Sequence, residues 1–124
     1  MLTAPKFYRC ARCGRIVGEI KGGGEMTCCG EPMTEITANT VEAAVEKHIP
    51  VATLKGCTLN VNVGSVDHPM TPEHFIEWIT VYQNGLTQRL QLTPDCKPFG
   101  TFTVDPGAPY EVLAYCNLHG LWKA

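Results

Sequence analysis

The chain lacks any long apolar run. No stretch approaches the ~20 residues that a membrane-spanning helix needs, so no membrane partner is expected. It lacks a basic excess. Ten Lys and Arg stand against twelve Asp and Glu, a formal net charge of −2. Nucleic-acid binders usually carry a surplus of positive charge, so no nucleic-acid partner is expected either. The first residues, Met1 to Cys10, lack the apolar segment of ~7–15 residues that a secretory signal requires, which predicts a cytoplasmic protein. Charge is sparse at 18%, against 44% hydrophobic residues, in 124 residues. That balance is globular and argues against disorder. Internal repeats and low-complexity segments are missing. Histidine is missing before residue 48. An even cysteine count is missing too, because the chain has seven. An odd count, in a compartment that keeps thiols reduced, points away from a disulfide framework and toward metal or redox chemistry.

What is present is unevenly placed. Cys10, Cys13, Cys28 and Cys29 crowd the start of the chain, while Cys57, Cys96 and Cys116 are scattered over the rest. This shift predicts two domains, residues 1–36 and 37–124. The first is Gly-rich, with short apolar pieces at 16–20 and 33–36 that read as strands. Below roughly 40 residues a core rarely suffices, and a metal, disulfides or oligomerisation has to help. In the second, Asn39 or Thr40 could cap a helical turn through Val41, Ala44 and Val45. Leu59, Val61 and Val63 alternate with Thr58, Asn60 and Asn62, as a half-buried strand should. Phe75 to Tyr82 is apolar on both faces, and Asn84-Gly85 is a strong hairpin signal. Leu86, Leu90 and Leu92 share one parity, and Tyr110, Val112, Ala114 and Cys116 share another. Short strands at this spacing predict an all-β fold, with an antiparallel sandwich as its larger part.

Two groups of residues carry chemistry. Cys10 and Cys13 form a C-x-x-C pair, and Cys28-Cys29 is an adjacent pair. Four thiolates in a Gly-rich segment suit a tetrahedral site for zinc or a single iron, and spacing alone does not separate the two. The adjacent pair demands a local backbone unlike the usual C-x-x-C knuckle. The second group is His48, His68, His74, Cys116 and His119, all in predicted loops or at strand ends. Imidazoles suit iron, copper and zinc, and a single thiolate adds a strong electron donor. Five ligands are one too many for ordinary zinc and one too few for octahedral iron. Cys57 and Cys96 have no ligand partner in sequence and read as buried small apolar residues. A zinc knuckle joined to a binding sandwich, or an electron carrier, fits the same residues.

Longer motifs narrow this. Tyr8-x-Cys10-x-x-Cys13-Gly14 and Cys28-Cys29-Gly30-Glu31-Pro32-Met33 resemble desulforedoxin. Glu46-Lys47-His48-Ile49-Pro50, His68-Pro69-Met70, His74-x-Ile76-Glu77-Trp78-Ile79 and Tyr115-Cys116-Asn117-Leu118-His119-Gly120-Leu121-Trp122-Lys123 resemble superoxide reductase. Together they resemble the desulfoferrodoxin family, the two-iron superoxide reductases, over nearly the whole chain. The resemblance implies two iron ions. One is rubredoxin-like, on Cys10, Cys13, Cys28 and Cys29. The other is held equatorially by His48, His68, His74 and His119, with Cys116 axial. It also implies an immunoglobulin-like sandwich, a homodimer, superoxide as substrate and a rubredoxin-like electron donor. Lys47 is implied to guide superoxide and help deliver a proton, and Glu46 to bind the ferric ion after turnover. Some family members have lost cysteines of the first site. All four are present here, which implies that the site is filled.

Overall fold

The computed structural model describes residues 4–124. The chain divides into two compact units, residues 5–37 and residues 38–124 together with residue 4.

The smaller unit is built from very short strands. β1 (Phe7–Arg9), β2 (Ile16–Gly18) and β5 (Thr34–Ile36) form one antiparallel sheet in the order β2-β1-β5. β3 (Thr27–Cys28) and β4 (Glu31–Pro32) form a separate hairpin. Phe7 and Cys10 are the only buried hydrophobic residues in this unit.

The larger unit is a sandwich of a three-stranded sheet and a four-stranded one. β6 (Pro50–Lys55), β7 (Thr58–Val63) and β10 (Phe99–Thr103) take the order β10-β7-β6. β8 (Ile76–Gln83), β9 (Leu86–Gln91), β11 (Glu111–Cys116) and β12 (Gly120–Lys123) take the order β12-β11-β8-β9. The alternation read along β7 holds: Leu59, Val61 and Val63 are fully buried, while Thr58, Asn60 and Asn62 are not. They meet Ile76, Ile79, Val81, Val112, Ala114 and Cys116 of the opposite sheet, with Phe102, Val104 and Leu92 completing one continuous core. Asn84 and Gly85 both take positive φ (50° and 82°) between β8 and β9, as a two-residue type I′ hairpin requires.

The structure corrects two expectations, the helix cap and the burial of Cys57 and Cys96. The helical turn is α1 (Val45–His48), with Ala44 at its N-cap and no side-chain cap. Asn39 instead adopts positive φ (60°) and pairs its side chain with the backbone of Lys123 on β12. Leu86 and Leu90 are exposed, because β9 is an edge strand and only Leu92 beyond it reaches the core. Cys57 and Cys96 are exposed rather than buried. Both lie in connections, Cys57 in the β6–β7 turn and Cys96 in a turn closed by its own N–H donating to the Thr93 carbonyl.

Strand register sets where the chemistry falls. Pro50 at the start of β6 pairs with Val63 at the end of β7. Ile76 at the start of β8 pairs with Cys116 at the end of β11, across a register shift beside Tyr115. His48 precedes β6, His68 and His74 lie between β7 and β8, and Cys116 and His119 lie at the β11–β12 turn. All five therefore converge on one end of the sandwich. A bulge beside a site commonly re-aims a side chain in this way.

Candidate metal centres

The first centre rests on two turns. Cys10 N–H donates to the Arg15 carbonyl and Gly14 N–H to the Cys10 carbonyl, which folds Cys10–Cys13 back on itself. The Cys13 N–H then points at the Cys10 sulfur at 3.4 Å. The adjacent pair is accommodated by the β3–β4 hairpin. Its central residues, Cys29 and Gly30, both have positive φ (54° and 77°). Left-handed backbone is uncommon outside glycine, so Cys29 occupies a turn position that few side chains fill. The turn projects Cys28 and Cys29 to the same place. Their sulfurs are 3.9 Å apart and the Cys13–Cys28 sulfurs 3.6 Å apart. All four lie within 4.8 Å of one another.

A tetrahedral ion with metal–sulfur bonds of ~2.3 Å spaces its sulfurs at ~3.8 Å, so this cluster fits one ion. Ionisation argues the same way. The Cys13 N–H chiefly, against the cost of burial, lowers the Cys10 thiol to about 6. The neighbouring sulfurs of Cys13 and then Cys10 push Cys28 up to about 12. Four sulfurs so close cannot all ionise by themselves, and a cation among them removes the conflict.

In the second centre the four imidazoles form a square. Ring centroids are 4.7 Å apart for His48–His68, 4.5 Å for His68–His74, 5.0 Å for His74–His119 and 4.9 Å for His119–His48. Each neighbouring pair is nearly perpendicular, at 78° to 83°. The His48–His74 diagonal is 6.3 Å. Cys116 sulfur lies 3.9 Å from His119 Nδ1 and within 4.8 Å of the donor atoms of His48, His68 and His74. A point beside the square could not be that close to every corner, so the sulfur caps one face.

The ring nitrogens identify what the square is for. His48 Nδ1 lies 2.7 Å from the Ala44 carbonyl, and His68 Nδ1 lies 2.7 Å from the Pro69 carbonyl. A carbonyl only accepts, so each Nδ1 carries the proton and each Nε2 is a bare lone pair. Those two lone pairs face each other at 3.2 Å, and His48 Nε2 lies 3.1 Å from His119 Nδ1. His74 Nε2 is buried with no hydrogen-bond partner. Converging lone pairs repel unless a cation lies among them. Donors at right angles and ~2.1 Å from an ion would be ~3.0 Å apart, which matches both spacings. Burial lowers the basicity of His48 and His74, and that of His68 to about 4, so these rings are neutral donors near pH 7. Burial raises the Cys116 thiol, against the Leu118 and His119 N–H groups that favour its anion. A bound metal reverses that balance and releases the proton.

Lys47 and Glu46 sit on α1 beside His48. Both are exposed, and neither forms an ion pair among the described residues. The charge of Lys47 disfavours protonation of His48 and His74, so its field reaches the square. Two supporting residues were not anticipated from sequence. The Trp122 ring packs 4.9 Å from His48, and its indole N–H donates to the His119 carbonyl. Gly64 packs so closely under α1 that an added Cβ would lie 2.7 Å from the Glu46 carbonyl oxygen and 2.8 Å from that of Ile49. The Trp at the end of a C-x-x-H segment was a visible signal, whereas Gly64 had none.

An all-β chain carrying one cluster of four cysteines and one set of four histidines with a cysteine is a two-centre metalloprotein. Comparison with known proteins makes this specific. The family model for desulfoferrodoxin matches residues 40–124, and that for the desulfoferrodoxin N-terminal domain matches residues 4–36. The chain is 50% identical over 120 residues to a desulfoferrodoxin of Clostridium acetobutylicum, covering 95% of this chain and 94% of that one. It is 48% identical over 120 residues to a desulfoferrodoxin of Syntrophotalea carbinolica, covering 96% and 94%. The crystal structure of the superoxide reductase from Treponema pallidum superposes with a TM-score of 0.78 at 34% identity, covering 99% of both chains. The chain belongs to the desulfoferrodoxin family. It is an oxidoreductase, and its two donor sets are those of the family's two iron centres.

Proposed function

We propose that the chain is a superoxide reductase. Superoxide, one electron and two protons give hydrogen peroxide, and no dioxygen is formed. In this reading Cys10, Cys13, Cys28 and Cys29 hold one iron. His48, His68, His74, His119 and Cys116 would hold the other. The observation that carries the reading is the square of imidazoles capped on one face by the Cys116 sulfur. Five donors leave an octahedral ion one position for a small anion. Ferrous iron in this set supplies the reducing electron. The fold match to the Treponema pallidum superoxide reductase supports the same reaction.

The chain's own residues do the rest. Neutral imidazoles and one thiolate leave a divalent ion with one net positive charge, which favours an anionic substrate. Cys116, as a thiolate, would give electron density to a bound ion. Lys47 adds a mobile cation at the mouth, draws superoxide inward and holds a transferable proton on Nζ. Glu46, beside His48 on α1, is the carboxylate that would bind the oxidised ion. Pro50, Pro69 and Pro72 stiffen the ligand-bearing segments. A rubredoxin-like protein supplies electrons, the first centre relays them or braces the small unit, and the protein works as a cytoplasmic homodimer.

Pulse radiolysis with an oxygen electrode tests this. The iron-loaded protein should consume superoxide and release no dioxygen. Lys47→Ala should lower the second-order rate and flatten its fall with salt, because steering is screened within ~8–10 Å at 0.1–0.15 M ionic strength. Dioxygen release at half the superoxide consumed, or no consumption, would overturn the reading. An unchanged rate and salt slope would remove Lys47 from it.

A further inference from the structure

We infer that Asn117 is a positioning residue that aims His74 into the square; this rests on the reading that the four histidines and Cys116 hold a metal. Ligand imidazoles are normally oriented by a hydrogen bond from the second ring nitrogen. His48 and His68 follow that rule, through the Ala44 and Pro69 carbonyls. His74 does not. Its ring makes no hydrogen bond among the described residues, and its Nε2 is buried and unpartnered. With no hydrogen bond to its ring, His74 is oriented by its backbone and by the edges of the His68 and His119 rings.

The backbone on both sides of His74 is clamped by one side chain. Phe75 N–H donates to Asn117 Oδ1 at 3.0 Å, and Asn117 Nδ2 donates to the Glu73 carbonyl at 2.9 Å. The Asn117 N–H adds a bond to the Phe75 carbonyl at 3.3 Å. Thr71 completes the grip. Its N–H donates to the His74 carbonyl at 3.0 Å, and its own carbonyl accepts from the His74 N–H at 3.1 Å. The carboxamide orientation is forced, because an N–H needs an acceptor and a carbonyl needs a donor. Asn117 also sits between Cys116 and His119, so one residue ties the segment bearing two donors to the loop bearing a third. An aspartate would keep the bond from Phe75 and lose the one to Glu73.

The experiment titrates metal-stripped full-length protein with Co2+, following absorption at each site. The sulfur-only first site serves as an internal reference. Asn117→Ala should weaken Co2+ binding at the second site ~10–100-fold, with the first site unchanged and Asn117→Asp between Ala and parent. Added to His74→Ala, Asn117→Ala should cause no further loss. Parental second-site affinity in Asn117→Ala overturns the inference. So does an equal further loss in the His74→Ala background, which would place the effect on another donor. If Asn117→Ala does not fold, Asn117→Asp decides, and parental affinity there overturns the inference equally. A parent that binds no Co2+ at the second site would instead overturn the metal reading on which the inference rests.

Discussion

Gly64→Ala isolates the packing that fixes His48 against His68. The new Cβ would stand 2.7 Å from the Glu46 carbonyl oxygen and 2.8 Å from that of Ile49. Ordinary contact begins near 3.4 Å, so the α1 turn must retreat by roughly 0.6–0.7 Å. Both obstacles are backbone, and no side chain can swing away. The same turn is bonded to the 64–68 segment, since Val66 N–H donates to the Glu46 carbonyl at 2.9 Å and Ser65 Oγ at 3.3 Å. Overpacking of this kind costs ~1–3 kcal/mol. For a domain of under ~100 residues each kcal/mol lowers Tm by ~4–8 °C. The site suffers separately. His48 rides on α1 and His68 on the other segment, and their Nε2 atoms are 3.2 Å apart. A retreat of ~0.6 Å along that line would open the gap to ~3.8 Å, which two bonds of ~2.1 Å at a right angle cannot span. Second-site metal affinity should fall at least tenfold while first-site affinity stays at the parental value. Calorimetry measures the first effect and a Co2+ titration the second. A variant with parental Tm and parental affinity at both sites would refute the reasoning.

Three further outcomes are expected. Cys13→Ser should release the first metal and increase amide exchange in residues 5–37, with the second-site spectrum intact; full metal retention would count against the four-cysteine assignment. Stability should fall as pH drops below about 4.5, the ordinary value for Glu111. Burial alone would raise its pKa, but the Lys123 ammonium and the Ala4 N–H hold it below that value. A group depressed on folding stabilises the fold above its unfolded pKa and loses that contribution as pH falls through its folded one. Glu111→Gln should therefore flatten acid unfolding curves, and an unchanged curve would dismiss the pair. Cys96 is exposed, and the Thr93 hydroxyl at 3.4 Å and the Thr93 backbone lower its thiol. Thr93→Val should slow alkylation of Cys96, measured by mass spectrometry across pH 6–9, whereas an equal rate would mean the hydroxyl does nothing.

Much of this was legible because it depends on residue type and period. Alternation placed β7, Asn-Gly placed the β8–β9 turn, and the spacing of Cys and His placed both donor sets. What stayed hidden depends on backbone. The carbonyls of Ala44 and Pro69 orient two ligands, yet any residue supplies a carbonyl. Gly64 is required by an approach from α1, which sequence does not display. The cap assigned to Asn39 or Thr40 failed because a polar residue near a helix start has other uses. Here Asn39 takes a left-handed turn and pairs with Lys123. Cys57 and Cys96 were misplaced because burial of a small thiol follows from position in a strand, and both occupy turns.

The two centres depend on the protein in opposite ways. In residues 5–37 only Phe7 and Cys10 are buried among the hydrophobic side chains, too little to order a Gly-rich segment unaided. Its left-handed Cys29 adds a backbone conformation that must be compensated. Metal binding is then part of the folding free energy of this unit, so ion and local structure form and dissolve together. The second set hangs from the ends of β6, β7, β8 and β11, whose own side chains form a continuous core. That scaffold does not need the ion, so it can hold neutral rings with lone pairs facing inward at a spacing they would not choose in isolation. Rigidity supplied by the core is what lets five donors stop short of six. A flexible chain would supply a sixth ligand from its own side chains in the reduced state too, and the position on which the proposed reaction depends would be closed to superoxide.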